Sequence, residues 1–432
     1  MENVDFTLNI GKEAVTFSLL KEQVLYHLQG RNRRPPEDLK KAYLHALDHP
    51  IDCPPLKEIV NAGEKVAITV SDITRGWQRN NQTLPVLIDY LVAAGINEED
   101  ITILIAVGAH RQNTQAELEE ICTTEICRRV RVLNHDAWDS DNMVYYGKTS
   151  RGTEVSINAI VAGADRVILT GGVIYHYMVG YGGGRKSVMP GVASLKTIQQ
   201  CHMWAMQKNV GEGSSPLAAN MKTSGNPAHE DMMEAAAFIQ PDFIVNVVPN
   251  LDGDITGIFT GNWVSAWLAA TEMVDDIFGV PIREQADIVI ASTGGYPKDI
   301  NLYQSQKTID NAVYAMKPGG VVILLAECPD IQEPREFFDW FDFPNPLAME
   351  KAVRADFLIS GWVAVRQIEY SSKGTIIMVT KEENVDIARK AGIQGVTSIE
   401  EALEMAYEKC GKNMPKVTVM PQGANTFPIL EP

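Results

Sequence analysis

The stretch 176–202, HYMVGYGGGRKSVMPGVASLKTIQQCH, gathers the residue types best suited to chemistry. Gly180, Gly182, Gly183 and Gly184 let a backbone approach a ligand closely and aim N–H groups at an anion. Arg185 and Lys186 follow at once. A phosphate cradle is one reading of this loop; a tight turn is the other. A P-loop is disfavoured, because it needs G-x4-G-K-[ST] and Arg185 breaks that order. A lysine amine attacks carbonyl-type cofactors when its pKa is lowered, and a neighbouring arginine pushes it that way. Lys186 is therefore a candidate nucleophile, with a solvated cation as the alternative.

Of the eight histidines, His110 and His176 each follow an apolar run and lie near glycines. Imidazole exchanges protons near neutral pH. Two such rings on opposite sides of one carbon are what stereoinversion by two bases requires. His202 falls on an expected helix, and its spacing to the other histidines matches no HExxH zinc pattern. Asp72 and Arg75 stand at i, i+3 beyond an apolar run. Arginine can grip a carboxylate through two parallel N–H bonds, although a surface ion pair is equally open. Tyr303-Gln304-Ser305-Gln306-Lys307 opens a helix, with Gln304 and Lys307 on one face. A lysine in a first helical turn opposes the dipole unless an anion is present. Trp362 either walls a pocket or packs in a core.

Short β-branched runs alternating with amphipathic segments must position these groups. Strands are expected at Val66–Ser71, 101–107, 130–133, 166–170, 243–248, 287–291, 321–326, 374–380 and Val417–Met420. Helices are expected at 83–95, with Pro85 near its start, at 305–316 and at 399–409; a capping box, Thr114-Gln115-Ala116-Glu117, opens another. This alternation predicts an α/β fold of two domains, each with a mostly parallel sheet flanked by helices. The expected domains are 1–275, joined by the tail 412–432, and 284–405, with the active site in the cleft between them. Parallel sheets bind ligands beyond the carboxyl ends of their strands. Four polar clusters sit there: 71–75, 108–111, 171–187 and 294–297.

The chain has 432 residues and a formal charge of −17, which speaks against general binding to nucleic acid or an anionic membrane. No apolar run reaches the roughly 18 residues of a membrane span. The N-terminus does not read as a signal peptide, so a cytoplasmic location is expected. Six cysteines without a CxxC read as reduced thiols.

Taken together, these motifs resemble the nickel-pincer lactate racemase family. The matching pieces are Ser71-Asp72-Ile73-Thr74-Arg75, Gly108-Ala109-His110-Arg111, the 176–202 block, Gly225-Asn226-Pro227, and Gly295-Tyr296-Pro297 with Tyr303-Gln304-Ser305-Gln306-Lys307. They span nearly the whole chain. The resemblance implies racemisation or epimerisation of a small 2-hydroxy acid by reversible hydride transfer through a 2-keto acid. It implies nickel held by a pyridinium-3,5-dithiocarboxylic-type mononucleotide, the nickel-pincer nucleotide, covalently attached at Lys186. His202 takes the nickel-ligand position, and His110 and His176 take the acid–base positions. Arg75, Gln304 and Lys307 match substrate contacts, with Tyr303 and Trp362 expected beside them. Asp72, Gly182, Gly183, Gly184 and Arg185 are expected on the cofactor side, the loop holding its phosphate. Accessory enzymes that build the cofactor are implied partners. Met178, and Gly182 after Tyr181, depart from the Phe and Ser-Gly-Gly of lactate-active members, so the substrate side chain stays open. The rival readings are a cofactor carrier without turnover and an NAD-dependent dehydrogenase. The latter lacks a GxGxxG after a strand with an acidic residue about 20 positions on.

Overall fold

A computed structural model describes residues 2–431. The chain divides into two compact units, one of residues 32–205 and 216–277, the other of residues 2–31, 206–215 and 278–431.

The first unit is built on a six-stranded sheet in the order Ile255–Gly261, Phe243–Pro249, Arg166–Gly172, Val66–Ser71, Ile101–Ala106, Arg131–Asn134. All neighbours are parallel except the first pair. Parallel strands covered on both faces read as unbroken apolar runs. Accordingly, every residue of Phe243–Pro249 is buried, and only Ser71 of Val66–Ser71 is not. The Thr114 capping box forms as expected: its hydroxyl accepts from Glu117 N–H, and Thr114 N–H donates to the Glu117 carboxylate. The expected 83–95 helix runs instead over Asn80–Ala93, with Pro85 in its interior. It starts early because Arg79, in a left-handed conformation (φ 50°), turns the chain straight out of the short helix Ile73–Gln78.

The second unit holds a six-stranded parallel sheet in the order Gln394–Val396, Thr375–Val379, Met316–Leu325, Ala286–Ser292, Val417–Met420, Val24–His27. An N-terminal hairpin, Asn3–Ile10 with Glu13–Leu20, buries Phe6, Leu8, Phe17 and Leu19 in the same core. Two domain assignments are therefore corrected. The tail 412–432 does not join the N-terminal domain, because Val417–Met420 pairs with Ala286–Ser292 on one side and Val24–His27 on the other. Residues 2–31 belong to this second unit as well. A four-residue strand buried at every position needs partners on both edges. Sequence distance does not say which sheet supplies them. Among the described residues, no helix is long and apolar enough to cross a membrane.

Inside the second unit, Arg366 donates to Asp310 at 2.5 Å, and the Tyr370 hydroxyl joins both. Arg366 and Asp310 are almost wholly buried. Removing one member of such a pair strands the other charge, at a cost of roughly 3–5 kcal/mol. Arg366→Met should therefore lower the urea-unfolding free energy by about that amount. An unchanged midpoint would contradict it.

Candidate active site

Three neighbouring strands of the first unit deliver the candidate residues at their carboxyl ends. Val66–Ser71 leads into Asp72, and Ile101–Ala106 leads through Gly108 to His110. Arg166–Gly172 leads into the two-residue strand Tyr175–His176. Because Val66–Ser71 and Ile101–Ala106 are paired, their ends lie side by side. The Asp72 carboxylate accordingly accepts from Nδ1 of His110 at 2.6 Å, and its other oxygen accepts from the Thr74 amide and hydroxyl. Asp72 is buried, whereas the His110 side chain is half exposed. Burial alone would raise the Asp72 carboxyl, but the bonds from His110 and Thr74 and the charge of Arg75 outweigh it and hold it low. An ionised Asp72 fixes the His110 proton on Nδ1 and leaves Nε2 with a free lone pair.

His176 is held differently. The Met178 amide donates to its Nδ1 at 3.2 Å, so a neutral ring carries its proton on Nε2. Burial first, and then Lys186, Arg75, Arg185 and His202, push this ring well below the usual imidazole range. The Lys186 amine is likewise pushed well down, by burial and then by Arg75 and Arg185. His202 ends the helix Leu195–His202 and is buried. Burial, then Lys186 and His110, bring it down to about 3. These mutual influences place Arg75, His110, His176, Lys186 and His202 in one electrostatic neighbourhood. Neutral Lys186 is a nucleophile, and neutral His202 is a nitrogen ligand for a metal. Among the described residues, no three His, Cys, Asp or Glu side chains group to hold an ion.

The glycine loop departs from the expected phosphate cradle. Gly182 N–H donates to Ile174, Gly184 N–H to the Asn246 side chain, and Lys186 N–H to Gly183. Arg185 is wholly buried rather than facing a ligand. Its guanidinium donates to the carbonyls of Val179 and Gly183 and lies 4.5 Å from the Trp267 ring centre. Three N–H donors of the loop, and the arginine, are thus taken up by groups of the protein itself. Gly184 has φ +57°, and a Cβ there would stand 2.6 Å from Trp267. Close packing requires that glycine, independently of any anion.

The remaining candidates belong to the second unit. Asn301 caps the helix Leu302–Ala315, and Lys307 donates to Gln304 at 2.8 Å, so the two share a face as the spacing predicts. The Tyr303 ring packs at 5.1 Å from that of Phe337. Trp362 is fully buried, with Arg366 over its ring. Two contributors escaped the sequence reading. The bond from Asp72 to His110 was implicit in strand adjacency. Trp267 sits on a helix that reads in sequence only as a domain boundary.

The family model for the lactate racemase N-terminal domain matches residues 10–213, and that for the lactate racemase C-terminal domain matches residues 282–427. The chain is 31% identical to a lactate racemase of Thermoanaerobacterium thermosaccharolyticum, over 99% of each chain. It is 30% identical to a lactate racemase of Lactiplantibacillus plantarum, over 96% of each. The structure of the T. thermosaccharolyticum lactate racemase apoprotein superposes with a TM-score of 0.89 at 30% identity, covering 99% of this chain and 100% of that one. A Thermotoga maritima protein, 15% identical with a TM-score of 0.65, shares the fold over 93% of this chain and 100% of that one.

One buried ring gives a pH test. His229 stacks on Trp267 at 5.5 Å, and burial, then Arg185, bring it down to about 3. Below about pH 6.5 the unfolded chain binds a proton that folded His229 refuses, so stability falls as pH falls. At about 1.4 kcal/mol per pH unit, this one ring removes roughly 2 kcal/mol by pH 5. Urea unfolding at pH 7.5 and 5.0 should show a shallower loss for His229→Phe than for the wild type. Equal losses would contradict the assignment.

Proposed function

Since the chain belongs to the lactate racemase family and is an isomerase, we propose that it racemises a small 2-hydroxy carboxylic acid, lactate or a close relative. The observation that carries this reading is a pair of differently held imidazoles in the field of one lowered lysine amine. The Cα–H of a 2-hydroxy carboxylate is a very weak acid, and its direct deprotonation would add a second negative charge beside the carboxylate. Loss of hydride together with the hydroxyl proton avoids that charge. A nickel-pincer nucleotide joined to Lys186 and ligated by His202 supplies, when bound, a reversible acceptor for that hydride. The residues fit such a group. The Lys186 amine is held toward its neutral, reactive form, and His202 offers an unprotonated ring nitrogen. With no protein group of three ligands among the described residues, a metal here would draw its other ligands from the nucleotide.

The chain's own residues handle charge and protons. Arg75 is proposed to hold the substrate carboxylate. His110, its Nδ1–H tied to Asp72, takes the hydroxyl proton on Nε2, and Asp72 steadies the imidazolium that results. His176 rests with Nε2–H outward and donates a hydrogen bond to the substrate oxygen. It becomes a proton donor of full strength only when Nδ1 gives up the Met178 amide and takes a proton from water, the proton held by His110 returning to water in the same turnover. The two rings are thus unequal at rest and exchange roles during turnover. Tyr303, Gln304 and Lys307 enter as substrate contacts through the resemblance alone.

A carrier without turnover needs Lys186 and His202 but neither of the other two rings. In matured protein, His110→Ala and His176→Ala should each lower racemisation by about 10²–10⁴-fold. Intact mass should show the Lys186 adduct unchanged in both. Wild-type rates in both variants would sink the racemase reading.

A further inference from the structure

We propose that Asp275 is a positioning residue for His176, acting through the hydroxyls of Tyr175 and Tyr181. This rests on the acid–base role given to His176 above. The ribbon that carries His176 is minimal: Tyr175–His176 pairs with Gly180–Tyr181, in the register Tyr175↔Tyr181 and His176↔Gly180. Two strands of two residues have almost no stability of their own, so something outside the ribbon must fix it. The two tyrosines lie opposite each other, their ring centres 5.6 Å apart. Tyr181 runs to a carboxylate, with Tyr175 beside it. The Tyr181 hydroxyl sits 2.8 and 2.9 Å from the two Asp275 oxygens and donates to them. The buried Tyr175 hydroxyl faces the same group.

Successive side chains of a strand point to opposite faces. Clamping the tyrosine tips on one face therefore sets the plane from which His176 projects on the other. Tyrosine suits this task because its ring has few rotatable bonds to restrain. The support behind the clamp is the helix Ser265–Phe278, which carries Asp275. The same helix presents Trp267 about two turns earlier, and its indole N–H donates to the Gly182 carbonyl at 2.8 Å. One helix thus grips the His176 ribbon at one point and the loop before Lys186 at another. Burial raises the Asp275 carboxyl, opposed by its bond from Tyr181 and by the nearby Tyr175 hydroxyl.

The test uses Asp275→Ala and Tyr181→Phe, singly and together, in the matured holoenzyme and in the apo chain. Each single variant should lower kcat about 10–100-fold with KM within about two-fold and an unchanged Lys186 adduct, since a displacement of about 1 Å costs that much. The double variant should fall no further than the worse single one. In the apo chain, ¹⁵N NMR of the His176 ring should show one tautomer, protonated on Nε2, in the wild type and a mixture in Asp275→Ala. Wild-type kcat in both single variants, or a lowered kcat with an unchanged ring spectrum, overturns the proposal. If Asp275→Ala does not fold, Tyr181→Phe decides by the same two readouts. His176→Ala serves as the control. Its loss of activity beside a fully active Asp275→Ala overturns the clamp alone. Wild-type activity in His176→Ala overturns the acid–base reading and the clamp with it.

Discussion

Everything at this site follows from crowding several basic groups into one partly buried place. Burial first, and then neighbouring positive charge, holds Lys186, His176 and His202 low: Arg75 and Arg185 act on Lys186 and His176, and Lys186 acts on both rings. A protein interior tolerates unpaired cations poorly, and the groups able to shed a proton do so. The cost of desolvating charge thus shifts the Lys186 amine and the His176 and His202 rings toward their neutral forms. Arginine cannot shed its proton so easily, even though burial brings Arg185 down to about 9. It is stabilised instead by loop carbonyls and the face of Trp267. The chain's overall charge of −17 is no guide to this local field.

Against that background Asp72 has a narrow role. It does not neutralise the cluster, because its two oxygens are taken by His110 and Thr74. It selects one tautomer of one ring. The Met178 amide selects the opposite tautomer for the other ring. The two imidazoles are thus set by unlike means, one by a carboxylate and one by a backbone N–H.

Much of this was legible in the sequence, where local pattern and chemistry coincide. The apolar runs of the parallel strands, the Thr114 capping box and the polar clusters just past strand ends are local signals. They located Asp72, His110, His176 and Lys186 correctly at the carboxyl ends of the first sheet or in the adjoining loop. What escaped depends on non-local pairing or side-chain direction. The buried strand Val417–Met420 reads the same whichever sheet receives it. Arg185 beside three glycines reads as an anion ligand until its guanidinium is seen turned toward Val179. Trp362 reads more readily as core than as a pocket wall, and its burial agrees with the core. Asp275, about 100 residues from the ribbon it contacts, leaves no local trace.

The claim beneath all of this is that burial and neighbouring cations keep the Lys186 amine unprotonated more readily than a free lysine. The direct measurement is its titration in the apo chain, followed by ¹³C NMR of ε-labelled lysine, with Lys186→Arg identifying the signal. The account predicts a midpoint well below the ordinary 10.5. A midpoint at or above that value would contradict it.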